Sequence, residues 1–213
     1  MKAANEISAS VIGRLPRYYR FLCELQNDGI VRISSSELSK RMGFTASQIR
    51  QDFNCFGGFG QQGYGYNVEQ LKNEMASILG LSTLKQAILI GAGNMGRAVA
   101  RQMNFAEMGF RLTAIFDCDK NLEGLKIKGI PIRPNSQIAE FCAEHRPDMA
   151  ILCLPQSQAP DVVDELVLLG IESFWNFSHY DIHAKYPAAN VENVHLSDSL
   201  MTLSYKIKNR ENR

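Results

Sequence analysis

The run Gly91-Ala92-Gly93-Asn94-Met95-Gly96 constrains this chain more than any other feature. It follows the apolar stretch from Gln86 to Ile90, which reads as a buried parallel strand, and it opens Arg97 to Met103, which reads as a helix. About 20 residues on, Asp117 closes a second strand-like stretch, Leu112 to Phe116. Strand, glycine turn, helix and spaced acid together are the dinucleotide-binding signature. The glycines let the backbone turn tightly and approach a pyrophosphate, and the helix N-terminus offers unpaired N–H groups and a positive dipole end. The Asp117 carboxylate is placed to accept hydrogen bonds from ribose hydroxyls. Gly91, Ala92, Gly93, Asn94, Met95, Gly96 and Asp117 are therefore expected to bind a dinucleotide. The competing reading is a glycine-rich turn in an ordinary α/β unit.

The position of the motif matters as much as its pattern. About 85 residues precede it, and the part that follows has room for one small nucleotide domain but none for a separate substrate domain. The spacing predicts domains over 1–80 and 81–213, with Gly80-Leu81-Ser82-Thr83 as the junction. At 213 residues, 45% hydrophobic and 21% charged, the chain suits two small packed domains. It has no apolar run long enough for a membrane span, so no membrane partner is expected. The polar N-terminus lacks the apolar stretch of a signal peptide, which predicts a cytoplasmic protein. Cys23, Cys55, Cys118, Cys142 and Cys153 are scattered and odd in number, which speaks against a disulfide framework or a zinc site. His145, His179, His183 and His195 lack metal-ligand spacing. A net charge of +1 decides nothing, so nucleic-acid binding has to be argued from local arrangement.

The first 80 residues carry that arrangement. Ser8 to Asn27 has apolar residues at helical spacing, and Pro16 is expected to interrupt it, ending a first short turn near Leu15. Ile30 to Ile33 reads as a short strand. Ser34-Ser35-Ser36-Glu37 fits a capping box before a short helix, and Gly43-Phe44 makes a turn. Thr45-Ala46-Ser47-Gln48 fits a second capping box, opening a helix through Ile49 and Phe53. Two short helices around a glycine turn make a helix-turn-helix unit. Its second helix presents Ser47, Gln48, Arg50 and Gln51, side chains that read base edges or bind phosphates. Gly57 to Tyr66 holds five glycines with aromatics between, which predicts a wing hairpin beside the recognition helix. Val68 to Leu79 reads as one more amphipathic helix. A small helical bundle with a polar face is the competing reading.

The second part alternates strand and helix. Gly129 to Ile132, a helix near Gln137 to His145, a strand from Met149 to Leu154, a helix from Asp161 to Leu169 and a strand from Ser173 to Phe177 follow in order. Strand C-terminal ends bind ligands in such sheets, so Leu154, Pro155, Asn176 and Phe177 are expected to wall the nicotinamide half of a pocket. A last helix, about 197–207, turns Leu200, Met201, Leu203 and Ile207 to one side and has no place in the sheet. It is expected to pack on a partner subunit.

Taken together, Arg14-Leu15-Pro16-Arg17-Tyr18-Tyr19, Ser34-Ser35-Ser36-Glu37-Leu38, Gln48-Ile49-Arg50-Gln51-Asp52, Phe56-Gly57-Gly58-Phe59-Gly60, Gly65-Tyr66-Asn67-Val68, the glycine motif, Phe116-Asp117 and Asn176-Phe177 resemble the Rex-type redox-sensing transcriptional repressors over nearly the full length. The resemblance implies an α/β fold in which an N-terminal winged helix-turn-helix domain precedes a Rossmann-type doubly wound parallel sheet with an exchanged C-terminal helix. It implies a homodimer that binds double-stranded operator DNA, with NAD(H) as the sensed cofactor and NADH releasing the DNA. It adds Arg14, Ser35, Gln61, Gln62 and Tyr64 to the expected DNA contacts. Asp117 and Asp119 would repel a 2′-phosphate, and no arginine follows Asp117 directly, so NAD(H) is expected over NADP(H).

Four departures from the family pattern stand out. Gln51, Gln61 and Gln62 occupy positions that the family usually fills with basic residues, and each swap removes a phosphate or groove charge. Glutamine can instead read adenine, which would change the operator. Gln102 stands where the family tends to have tyrosine and His195 where it tends to have aspartate. In the family those two couple the nicotinamide state to an N-terminal arginine, here matched to Arg14. Two other readings stay open: a nucleotide-binding regulator with an altered or lost redox response or operator preference, and a small NAD-dependent oxidoreductase. The second lacks a visible acid–base pair, since Tyr180 is followed four residues later by Ala184 and Tyr205 by Asn209.

Overall fold

The computed structural model describes residues 7–57 and 64–211. The chain divides into two compact units, Met1–Thr83 and Leu84–Arg213, and each builds its own core.

The first unit begins with α1 (Ala9–Ile12) and α2 (Leu15–Asn27). The break between them falls at Gly13 and Arg14, earlier than Pro16 led us to expect. Pro16 sits in the first turn of α2, where its missing N–H has no helical partner to lose. β1 (Arg32–Ile33), α3 (Ser35–Met42), α4 (Ala46–Asn54), β2 (Tyr66–Asn67) and α5 (Val68–Ile78) follow. Ser34 and Glu37 form the complete capping box. At Thr45 only half of the expected box forms: its side chain accepts from the Gln48 N–H. The apolar faces of α2, α3, α4 and α5 close on a core that includes Leu22, Leu38, Ile49, Phe53, Leu71 and Met75. β1 and β2 pair antiparallel, Arg32 opposite Asn67 and Ile33 opposite Tyr66. The expected hairpin tip, with Gln61 and Gln62, lies outside the described residues.

The second unit contains β3 (Lys85–Ile90), α6 (Asn94–Gln102), β4 (Phe110–Asp117), β5 (Lys126–Ile127), β6 (Ile130–Pro134), α7 (Ile138–His145), β7 (Met149–Leu152), α8 (Ala159–Leu168), β8 (Ser173–Asn176), β9 (Asn190–Asn193) and α9 (Leu196–Glu211). Among the described residues they form one sheet in the order β5-β6-β4-β3-β7-β8-β9. All neighbours are parallel except β5 against β6. The first strand, β3, is central. The chain runs outward to β4 and β6, then returns to lay β7 on the other side of β3, which creates a topological switch point at the strand ends. One face of the sheet packs Ile88, Phe116 and Leu152 against Phe141 of α7 and Val163 and Leu166 of α8. The other packs Leu89, Ile115 and Ile151 with Val99 and Ala100 of α6. This is a doubly wound α/β sheet. The short strands β5 and β9 were not expected from sequence. Every side chain of α9 from Leu196 to Arg210 is exposed, Leu200, Met201, Leu203 and Ile207 included.

Candidate nucleotide cleft and DNA-binding surface

At the switch point the chain leaves β3 through Gly91, whose φ of 97° is a left-handed conformation. A Cβ on Gly91 would collide with the Cys153 carbonyl oxygen, so the backbones leaving β3 and β7 touch directly. Gly96 plays the complementary part: a Cβ there would collide with the Gly91 carbonyl, so only glycine lets α6 start this close to the strand. Gly91 donates to the Phe116 carbonyl at 2.8 Å, and Cys153 donates to the Ile90 carbonyl at 2.8 Å. Gly93 caps α6, and Asn94 and Met95 form its exposed first turn, where helix N–H groups lack helical partners.

Asp117 ends β4 beside this loop. Its Oδ2 accepts from the buried Ala92 N–H, and its Oδ1 accepts from the Asp119 N–H at 2.8 Å. The loop thus fixes the carboxylate before any ligand arrives, with lone pairs to spare on both oxygens. Gly91, Gly93, Asp117, Cys118, Leu154 and Asn135 line one cleft of about 230 Å³. That is smaller than the roughly 300–1,000 Å³ of sites that engulf a whole ligand, so the cleft accounts for part of a dinucleotide. Burial pushes the Cys153 thiol in the same cleft up to about 12, which keeps it protonated and unreactive. Asn135 escaped the sequence reading. Its Oδ1 is sealed from solvent and, among the described residues, has no hydrogen-bond partner.

The residues expected to wall the pocket fall in two places. Leu154 and Pro155 line the cleft that holds Asp117 and Cys118. Asn176 is fully buried and its amide is engaged: Oδ1 accepts from Ser178 N–H at 3.0 Å and Ser178 Oγ at 2.6 Å, and Nδ2 donates to Tyr180 O at 2.9 Å and Asn193 Oδ1 at 2.8 Å. It locks β8 to β9 and has no capacity left for a ligand. Phe177 packs edge-on against Trp175, 4.8 Å between ring centroids. Past the ends of β8 and β9, His179 and His195 stack at 4.5 Å, and His195 Nδ1 lies 3.6 Å from the Asp198 carboxylate. Gln102 is exposed at the end of α6.

In the first unit, α3 and α4 meet at Gly43, whose φ of 72° makes the tight turn. α4 exposes Ser47, Arg50 and Gln51, with Gln48 half-buried. Arg50 Nη1 donates to Ser35 Oγ at 3.1 Å, so these two candidates share one polar surface. Tyr64 is exposed, and its carbonyl accepts from Arg32 Nη1 at 3.3 Å. Arg14 does not join them. Its Nε and Nη2 grip the two carboxylate oxygens of Asp52, both at 2.7 Å, and Tyr18 Oη donates to Asp52 Oδ2 at 2.7 Å. Burial alone would raise the Asp52 carboxyl, but the bonds from Arg14 and Tyr18 outweigh it and hold the group below the ordinary carboxylate value. Burial and Asp52 push the Tyr18 phenol up. Asp52 lies on the core side of α4, so Arg14 braces that helix from within the unit. Arg17 adds a second brace, donating to the Met42 carbonyl at 2.6 Å with its guanidinium 4.7 Å from the Phe44 ring centre. The sequence signal was available: Arg14 and Tyr18, four apart, share a helix face.

Both halves of this layout are matched in known proteins. Residues 6–54 fit the family model described as a putative DNA-binding protein N-terminus, and residues 82–180 fit the CoA binding domain model. A redox-sensing transcriptional repressor Rex from Caldanaerobacter subterraneus subsp. tengcongensis is 52% identical over 212 residues, covering 99% of this chain and 94% of that protein. The chain belongs to the Rex family of redox-sensing transcriptional repressors. A Rex repressor from Clostridium novyi is 50% identical over 207 residues, covering 96% of this chain and 97% of its own length. Among solved structures, RSP in complex with β-NAD+ and operator DNA superposes with a TM-score of 0.89 at 50% identity, covering 96% of this chain and 94% of that one. RSP with β-NADH gives 0.88 at 46% identity, covering 97% of each chain.

Proposed function

We propose that this protein is a homodimeric Rex repressor that binds operator DNA through α4 and senses the NADH/NAD+ ratio in the cleft at Gly91 and Asp117. The observation that carries the reading is the match to RSP with β-NAD+ and operator DNA, which spans the helix-turn-helix and the nucleotide cleft of this chain together. The residues fit the cofactor. The Gly91 and Gly93 turn leaves space for a pyrophosphate against the α6 N-terminus, and Asp117 offers acceptors to ribose hydroxyls. When bound, NAD(H) brings a redox-dependent charge on its nicotinamide ring. The chain itself holds and orients the nucleotide. The sequence offers no tyrosine with a lysine four residues on, Tyr180 being followed by Ala184 and Tyr205 by Asn209, so the reading is binding without turnover. An operator partner places the action in the cytoplasm.

On the DNA side, Ser47, Gln48, Arg50 and Gln51 supply the base and phosphate contacts, with Ser35, Tyr64 and the wing residues Gln61 and Gln62 beside them. Dimerisation is supported by the exposed apolar side chains of α9 and by an open groove of about 750 Å³ over β7, β8 and β9, lined by Met149, Ile151, Trp175 and Val191. A second reading, binding with an altered redox response, is favoured by the stacked His179 and His195 where the family has an aspartate, and by the engagement of Arg14 with Asp52.

Titrating a preformed operator complex with each nucleotide tests both. Release by NADH at concentrations where NAD+ leaves the complex intact is the expected outcome. Equal effects of the two would replace the first reading by the second, and failure to bind either nucleotide would remove both.

A further inference from the structure

The start of α2 holds both helices of the helix-turn-helix. Arg14, at its N-cap, and Tyr18 grip Asp52 of α4. Arg17, between them in sequence, reaches the end of α3 instead. The last carbonyls of a helix have no N–H partner within it, and they carry the negative end of its dipole. Arg17 Nη2 donates to one of them, Met42 O, at 2.6 Å. At the next residue, Gly43, the chain turns left-handed, and the Gly43 N–H donates back to the Ser39 carbonyl at 3.0 Å. Phe44 follows, and the same guanidinium stands 4.7 Å from the centre of its ring. Arg17 therefore touches both sides of the turn: the carbonyl that enters it and the ring that leaves it.

The contact continues into the recognition helix. The Phe44 ring packs on Tyr18 with 5.6 Å between centroids, and Tyr18 packs edge-on against the buried Phe53 of α4 at 5.0 Å. Arg17 itself is exposed and has no place among Leu22, Leu38, Ile49 and Phe53, so its removal opens no cavity in that core. What it restrains is direction, because it spans the one turn about which α3 and α4 can hinge. Direction matters unequally for the two kinds of DNA contact. Hydrogen bonds to base edges require alignment, whereas attraction to phosphates carries no sequence information and tolerates a misaimed helix. We propose that Arg17 is a positioning residue for operator binding: it fixes the angle at which α4 leaves the turn and so sets how well the chain discriminates operator from other DNA, without touching DNA itself. This rests on the reading of α4 as the helix that enters the groove and adds to it the residue that aims it.

The experiment uses the full chain, a duplex that wild type selects from a random pool, and an unrelated duplex of the same length. Arg17→Ala is expected to weaken binding to the selected duplex by about tenfold and to the unrelated one by less than about twofold, since base-edge contacts are lost before phosphate contacts. The slope of log affinity against log salt is expected to stay as in wild type, because no phosphate contact is removed. Arg17→Lys keeps a cationic donor for the Met42 carbonyl and the Phe44 ring, and is expected to recover binding to within about threefold of wild type. A slope smaller by about 0.9 in Arg17→Ala would make Arg17 a phosphate contact and overturn the proposal. An equal loss on both duplexes would make it a merely structural residue, and unchanged discrimination would give it no role; either result overturns the proposal. No recovery in Arg17→Lys would separate the effect from the bond to Met42 and also overturn it. A pool that yields no preferred duplex would remove the DNA-binding reading and this role together. Should Arg17→Ala not fold, Arg17→Met decides, having a long side chain with neither charge nor donor: loss confined to the selected duplex at unchanged slope supports the role, and any other pattern overturns it.

Discussion

The two units solve the same problem, holding a binding element rigid, by opposite means. In the first unit the recognition helix is anchored by charge: Asp52, buried on the inner side of α4, is gripped by Arg14 at the N-cap of α2 and by Tyr18 within it. In the second the binding loop is anchored by absence of side chain. Gly91 and Gly96 let three stretches of backbone approach closely, and a backbone N–H holds the one carboxylate that matters. A charged tie is specific in direction but depends on pH and on both partners. A backbone approach depends on neither, yet tolerates no added methyl group. The comparison predicts different failure modes for the two units, and each can be pushed separately.

The largest effect is expected at Gly96. Gly96→Ala forces a Cβ into the Gly91 carbonyl, and backbone has nowhere to retreat; a loss of about 4 kcal/mol or more is expected in the unit from residue 84 onward. Hydrogen exchange should show that loss around β3 and β4 while amides near Leu22 and Phe53 stay protected. Unchanged protection in the sheet would mean that α6 can move away from the strand.

Asp52→Asn comes next. Removing the charge strands Arg14 opposite a neutral amide and is expected to cost about 3 kcal/mol in the first unit, read by denaturant unfolding. Replacing both, as Arg14→Met with Asp52→Leu, should cost less than either single change, since no unpaired charge is then left buried. The pH dependence has a definite sign. The folded Asp52 carboxyl lies below its unfolded value of about 3.9, so its contribution is fully present above about pH 4 and disappears as pH falls through the folded value. Asp52→Asn should flatten that acid limb. The Gly96 variant should keep it.

Smaller effects lie in binding. Arg50→Ala should weaken operator binding by about 1–3 kcal/mol if its guanidinium reads a base, with little change in stability because the bond to Ser35 is exposed. Operator affinity that ignores this change would mean that α4 does not enter the groove. In the other unit, wild type should bind NADH about tenfold or more tighter than NADPH, since a 2′-phosphate would meet the Asp117 and Asp119 carboxylates. Asp117→Ala should bring the two affinities together. Calorimetry showing equal affinities in wild type would remove Asp117 from the ribose site.

What could be read from sequence divides along physical lines. Local signals came through: the glycine run with its strand and helix, the Ser34 to Glu37 cap, the turn at Gly43, and the long apolar strands β3, β4 and β7. Strands without an apolar signature did not. β9 is Asn190-Val191-Glu192-Asn193, with one apolar residue, and takes its strand form from pairing with β8. Roles that depend on distant partners were also hidden. The tie of Arg14 to Asp52 was not visible because the two are 38 positions apart. Asn176 looked like a pocket wall because a strand end gives no sign that its amide is saturated by Ser178, Tyr180 and Asn193. The unmatched oxygen of Asn135 depends on what its neighbours fail to supply, and sequence does not display a missing donor.

The exposed α9 makes protein concentration a variable of stability. Leu196, Leu200, Met201, Leu203, Tyr205 and Ile207 are between 51% and 69% exposed in the single chain, so whatever covers them in a dimer is gained by mass action rather than by folding alone. Each tenfold dilution then removes about 1.4 kcal/mol per mole of dimer from the free energy that separates the assembled from the unfolded state. The melting temperature should rise with chain concentration, and deletion of residues 195–213 should abolish that dependence or leave the protein insoluble. In a cell the number of copies would then set how long each copy lasts, before any nucleotide is bound.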